Sequence, residues 1–280
     1  MLWACILLPS LPLDVFARAA PDDAQRPFVV ASGGHYPRVV AANGCAHAAG
    51  IRRDQLISAA LAFAPDVVLR DRDPGAETAA LAEVATLLLA FTPQVSLAHP
   101  NAVVAEIGGS VRLFGGLTQL LAMLVERVES RGYVARMALA PTPTAALLLA
   151  RAGHAQPVPR CTALPDVLAP LPLALLDFEP QTLATLAAAG ITTFGAAQAL
   201  PRAGLARRFD QCIVDTLDRA LGRAPDPRQP YEPPPRFTRK LALPAPIDNV
   251  EALGFGVNRL GSELASWLLA RGLGVVRMSL

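Results

Sequence analysis

The spacing of apolar positions predicts alternating strands and helices in the first part of the chain. Residues 3–8 are continuously apolar, which is typical of a strand covered on both faces. Over 76–91 the apolar residues recur at helical spacing. The other expected strands are 28–31, 38–41, 103–107 and 134–139, and the other expected helices are 12–19, 44–49, 55–64 and 117–129. This alternation favours an α/β (α+β) fold, in which helices layer a sheet.

The pattern changes after Pro165, where short helices are predicted at 171–176, 182–189 and 211–221. Residues 222–235 are rich in proline and charge, which is typical of a linker. Beyond them the pattern predicts a strand at 237–243, an amphipathic helix at 250–270 and a strand at 274–280. One helix between two strands is too little for a stable sheet domain, so we expect this last domain to be incomplete.

Composition excludes few classes of protein. The chain is 52% hydrophobic and 17% charged, with a net charge of +2, and Lys240 is its only lysine. The total charge neither requires nor excludes nucleic acid, because a local basic stripe decides that question. The four cysteines are scattered without a C-x-x-C pair, so no zinc site is indicated. No apolar run reaches the length of about 20 residues that crosses a bilayer.

Four segments resemble the Y-family translesion DNA polymerases. Residues 38–52 match the fingers segment of that family, and residues 105–108 with 113–116 match the segment after the palm carboxylates. Residues 139–146 match the opening of the next palm helix, and residues 182–195 match the helix-hairpin-helix of the thumb. The resemblance covers essentially the whole chain, and the opening residues look like the catalytically inactive ImuB branch, which is related to UmuC and DinB-type polymerases.

This resemblance implies a domain order for the chain. We expect a palm at 1–165 with fingers inserted at about 22–75, a helical thumb at 166–224, a linker at 225–235 and the start of a truncated little finger at 236–280.

Active members of this family hold two metal ions with carboxylates, and Mg²⁺ requires such hard oxygen ligands. Here Leu7 and Pro9 occupy the positions of the first aspartates, and Asn101 and Ala102 those of the second acidic pair. The positions that grip the triphosphate are changed as well, since they hold Gly44, His47 and Leu147. We therefore predict no catalytic, metal-binding or nucleotide-binding residue, and no cofactor.

Two acids and one histidine near these positions have alternative interpretations. Asp14 and Glu106 are either metal ligands or, as we favour, a surface residue of a short helix and a capped or solvent-facing strand residue. His47 is either a ligand or, as we favour, a surface histidine.

The predicted contacts to DNA are few. In the thumb turn, Asp177 and Glu179 replace the glycines whose amides would approach a phosphate. The arginines just beyond the hairpin and the basic residues that open the little finger are the candidates for phosphate contacts. They are Arg202, Arg207 and Arg208, followed by Arg236, Arg239 and Lys240, of which we favour Arg207, Arg208, Arg239 and Lys240.

The resemblance implies a non-catalytic adaptor in translesion synthesis induced by DNA damage, as part of SOS mutagenesis. Its implied partners are DNA, bound weakly and without sequence preference, the sliding clamp, an error-prone C-family polymerase and a RecA-like accessory protein. The implied location is the bacterial cytoplasm, at the nucleoid and not at a membrane. The alternative is an active Y-family polymerase with shifted metal ligands, which needs two carboxylates converging at the ends of strands 3–8 and 103–107.

Overall fold

The structure of the protein is a computed structural model that describes residues 1–275, except 19, 21–22, 24 and 240–249. It divides into two compact units. The first unit comprises Met1–Leu7, Phe91–Met123 and Ala135–Tyr231, and the second comprises Leu8–Ala90, Leu124–Val134 and the described chain from Glu232 onward.

The strands are β1 (Trp3–Leu7), β2 (Phe28–Ala31), β3 (Val39–Ala42), β4 (Val68–Asp71), β5 (Val95–Ala98), β6 (Ala102–Glu106) and β7 (Arg136–Ala140). The helices are α1 (Leu11–Ala17), α2 (Gly44–Ala48), α3 (Ile57–Phe63), α4 (Pro74–Leu88), α5 (Leu117–Glu129), α6 (Pro143–Ala152), α7 (Leu164–Leu168), α8 (Pro180–Ala188), α9 (Phe194–Gln198), α10 (Arg202–Phe209), α11 (Gln211–Leu221) and α12 (Val250–Ala270).

The first unit contains an antiparallel sheet of four strands in the order β5-β6-β1-β7. All five residues of β1 are buried, because β1 is a central strand and helix α6 packs on it and on β7. Side chains from one face of this sheet share a single apolar core with α6 and with the helices that follow it, including Leu186, Phe194 and Leu217. The helical region is therefore anchored on the sheet by burial of apolar surface.

The second unit contains a three-stranded sheet in the order β3-β2-β4. Strands β2 and β3 pair antiparallel, whereas β2 and β4 pair parallel. Helix α4 starts at a proline, and the side chain of Asp73 caps it by accepting the N–H of Ala76 at 2.9 Å. Helices α1 and α12 both pack on α4.

The expected mixed α/β fold is confirmed, and most predicted elements of the first part are present. The predicted helix at 171–176 is wrong: only a short 3-10 turn, Leu173–Leu175, forms there. Pro170 and Pro172 explain the difference, because each lacks an N–H donor and restricts the residue before it.

The last predicted domain is described only in part. Its helix at 250–270 is present as α12, whereas residues 237–239 and 274–275 form no strand. The rest of both predicted strands lies outside the described residues. The proposed palm, fingers, thumb and little-finger boundaries remain predictions.

Candidate functional site

The residues that the sequence analysis aligns with the family's metal ligands lie at one end of the β1–β6 pair. Leu7 and Ala102 are direct partners across the two strands, and they are 5% and 0% exposed. Both side chains belong to the apolar core of the first unit, together with Leu147, which the sequence analysis aligns with the family's palm lysine. Asn101 precedes β6 and is half-buried. Leu7 and Ala102, two of the positions predicted to correspond to charged ligands, are thus apolar and buried.

Glu106 lies at the opposite end of β6, where it pairs with Trp3. Four residues of strand, or about 13 Å, separate it from Ala102. Its carboxylate accepts the N–H of Leu2 at 2.9 Å and the N–H of Gly108 at 3.1 Å. Glu106 is therefore a capped strand residue that organises the adjacent turn. This agrees with the favoured interpretation of the sequence.

The expectation that Asp14 is a surface residue is wrong. It is 5% exposed within the second unit, and its Oδ2 accepts the N–H of Val134 at 3.2 Å. Burial raises the pKa of this carboxyl to about 6, although the Val134 hydrogen bond and the charge of Arg18 act in the opposite direction. Helix α1 has only seven residues, which is too short for its polar face to be read from spacing.

The positions aligned with the triphosphate grip contain no cationic fork. Gly44 starts helix α2, and His47 is exposed in the same helix, as predicted. A ring nitrogen of His47, Nδ1, lies 3.0 Å from the carbonyl oxygen of Ile51, and the carbonyl of His47 accepts from Arg52 at 2.6 Å. These contacts stabilise the end of a short helix.

The candidate DNA contacts differ in how available their charges are. Arg207 and Arg208 are exposed in the last turn of α10, and neither forms an ion pair with another residue of the described chain. Arg239 is half-buried and pairs with Glu263 at 3.2 Å. Arg202 forms an ion pair with Asp218. Lys240 lies outside the described residues.

The two carboxylates of the predicted thumb turn, Asp177 and Glu179, differ in their hydrogen bonds. Asp177 accepts from Nη2 of Arg151 at 2.9 Å, and Nη1 of Arg151 also donates to the carbonyl of Leu175 at 2.7 Å. Glu179 stands at the start of α8 without a capping hydrogen bond. The charge of Asp177 is therefore compensated inside the unit, a contact that sequence spacing does not reveal.

The proline-rich segment after α11 carries a further contact that the sequence did not predict. Asp226 caps α6, since its Oδ2 accepts the N–H of Thr144 at 2.9 Å and the hydroxyl of Thr144 at 2.7 Å. Arg228 donates to the same hydroxyl oxygen at 2.6 Å. Further along, the N–H of Tyr231 donates to the carbonyl of Val95 at 2.7 Å. This segment is thus fixed to the sheet and helix of the first unit.

The described residues contain no group of three His, Cys, Asp or Glu side chains placed to hold a metal ion. Within the same residues, no helix combines the length and apolar character needed to span a membrane.

Solved polymerase structures share this architecture. The structure of DinB from Sulfolobus solfataricus matches with a TM-score of 0.66 and 16% identity, covering 82% of this chain and 70% of that one. An insertion ternary complex of Dbh DNA polymerase matches with a TM-score of 0.68 and 17% identity, over 82% of this chain and 70% of that one. The fold is therefore that of the Y-family polymerases.

Sequence comparison gives the family itself. The profile of the IMS family, described as impB/mucB/samB, matches residues 11–151, and the chain belongs to this family. Protein ImuB of Caulobacter vibrioides is 33% identical over 222 residues, which are 79% of this chain and 48% of that protein. The chain thus spans about half the length of the curated relatives it matches.

Proposed function

We propose that the protein is a non-catalytic, Y-family polymerase-like adaptor in translesion synthesis induced by DNA damage. One observation carries the proposal. Leu7 and Ala102 face each other across β1 and β6 in the apolar core, at the positions where the active family holds metal-binding carboxylates. Aliphatic side chains offer Mg²⁺ no ligand, and a scaffold without its chemistry is most simply explained by binding.

The proposed partners come from the resemblance to the ImuB branch. They are DNA, the sliding clamp, an error-prone C-family polymerase that performs the synthesis, and a RecA-like accessory protein. The proposed setting is SOS mutagenesis in the bacterial cytoplasm, at the nucleoid. Exposed Arg207 and Arg208 support weak binding to phosphates, which carry no sequence information.

An active polymerase with shifted ligands is the second candidate. It requires two carboxylates at the end of the strand pair that holds Leu7 and Ala102. Glu106 belongs to the other end of β6 and is already bound to two backbone amides. This geometry favours the non-catalytic proposal.

Primer extension separates the two candidates directly. We expect no template-dependent extension by the purified protein with Mg²⁺ or Mn²⁺ and all four nucleotides, while an active DinB-type polymerase extends the same primer. Extension that survives purification to constant specific activity contradicts the proposal. The positive role is tested in cells: deletion of the gene is expected to lower damage-induced mutation, and the wild-type gene is expected to restore it.

A further inference from the structure

A small polar pocket opens in the first unit beside the helix α6. Its volume is about 240 Å³, several times the 30 Å³ or so that one water molecule occupies in the liquid. Helices α6 and α11, the thumb turn at residues 176–178 and the docked segment around Asp226 supply its walls. Leu7 and Ala102 do not line the pocket, although Leu147 both lines it and belongs to the apolar core that contains them.

Three guanidinium groups line this pocket against two carboxylates. Arg151 pairs with Asp177 at 2.9 Å and Arg228 pairs with Asp226 at 3.1 Å, so each carboxylate is compensated. Arg219 is exposed in the last turn of α11, and its side chain makes no hydrogen bond or ion pair with any other residue that the structure describes. The pocket therefore has an excess positive charge, carried by a side chain that is free to turn towards a ligand.

Arg228 provides a second, independent indication. Its Nη2 donates to Thr144 and Asp226, but its Nε is buried and has no acceptor among the described residues. A buried donor without a partner is unfavourable, and an acceptor oxygen entering the pocket relieves the cost. Guanidinium groups match the oxygens of phosphate especially well, since they present parallel N–H donors in a planar fork.

We propose that this pocket binds a phosphate group, held by Arg219 and Arg228 beside α6. The group is either that of a small phosphorylated ligand or a phosphodiester of the nucleic-acid backbone. The proposal does not depend on whether the protein is catalytic.

Titration with inorganic phosphate and with pyrophosphate tests the site in the purified full chain. The readout is the thermal unfolding temperature against chloride at equal ionic strength, followed by calorimetric titration. We expect both anions to stabilise the wild-type protein more than chloride does. Arg219→Glu is expected to weaken binding about tenfold or more, because it removes charge-assisted hydrogen bonds and adds repulsion. Arg219 has no partner to lose, so the fold of this variant is expected to be intact.

The matched control is Arg112→Glu, which makes the same charge change on an exposed arginine of the first unit that neither lines the pocket nor belongs to the proposed DNA contacts. Arg228→Lys keeps the charge and removes the Nε donor, so it is expected to weaken binding less than Arg219→Glu. A short DNA duplex forms the second arm of the test. If Arg219→Glu weakens the binding of the free anions, the ligand is a small phosphorylated molecule. If it weakens only the binding of the duplex, the ligand is a backbone phosphate. Absence of Arg219 dependence in both arms, or equal losses in Arg112→Glu, overturns the proposal.

Discussion

Replacing Asp14 by asparagine is expected to stabilise the protein at neutral pH. The carboxyl is 5% exposed, and burial raises its pKa from the ordinary value of 3.8 to about 6. The Val134 hydrogen bond and the Arg18 charge lower this pKa but do not cancel the effect of burial. At pH 7 the folded protein therefore carries an ionised carboxylate where solvation is poor.

The sign and size of the effect follow from this shift. Because the folded pKa of Asp14 is raised, its contribution to stability is fully present below pH 3.8 or so and is lost as the pH rises through about 6. The difference between the two pKa values corresponds to a free energy on the order of 3 kcal/mol. Asparagine still accepts the Val134 N–H bond but loses the attraction to Arg18. We expect a gain of about 1–3 kcal/mol at pH 7.5, with roughly 2–4 °C in Tm for each kcal/mol.

Thermal unfolding followed by circular dichroism at several pH values measures this gain. The advantage of Asp14→Asn over the wild type is expected to shrink between about pH 7.5 and pH 5, as the wild-type carboxyl takes up its proton. Asp71→Asn is the control, because Asp71 is exposed at the end of β4 and belongs to the same unit. If Asp14→Asn is less stable than the wild type at pH 7.5, or its advantage is constant with pH, the reasoning is refuted.

Three further predictions test the packing and the basic surface. Glu83 forms a buried ion pair with Arg18 at 3.0 Å. Glu83→Gln is therefore expected to lower the free energy of unfolding by about 3 kcal/mol in urea titrations, because it leaves the buried guanidinium of Arg18 without its anionic partner; a loss under 1 kcal/mol contradicts this. Leu7→Asp is expected to cost about 3–5 kcal/mol in the same assay, since it buries an unpaired charge, whereas Leu7→Met costs under about 1.5 kcal/mol. Alanine at both Arg207 and Arg208 is expected to flatten the salt slope of DNA binding by about 2, and alanine at paired Arg239 to change it less; an unchanged slope in the double variant moves the DNA surface elsewhere.

Local pattern predicted much of the fold. The continuous apolar run became β1, and the strands predicted at 28–31 and 38–41 correspond to β2 and β3. Strand β4 was missed because its exposed, partly charged residues resemble a loop, and it is a strand only through parallel pairing with β2. Strand β5 was missed because Ser96 interrupts its apolar run, whereas all four residues of β2 are apolar.

The candidate site was predictable only in the positions aligned with the family. The correspondence of Leu7 and Ala102 to the family's carboxylates is a prediction from the sequence, whereas their direct pairing in the core is a property of the fold. The contact between Asp226 and Thr144 joins residues 82 positions apart, and no local rule connects them. Burial of Asp14 likewise depends on partners far along the chain.

The packing of Leu7 and Ala102 bears on the evolutionary history of this scaffold. A mutation that places one aspartate in this interior introduces an uncompensated charge and lowers stability at once. A metal offsets that penalty only when several oxygen ligands are present together. Natural proteins have only about 5–15 kcal/mol of stability to lose, so a single carboxylate gained at either position is selected against. Under the proposed non-catalytic function, this hydrophobic interior therefore makes the stepwise gain of metal ligands at positions 7 and 102 costly in stability, whereas substitutions at the exposed surface carry no such cost.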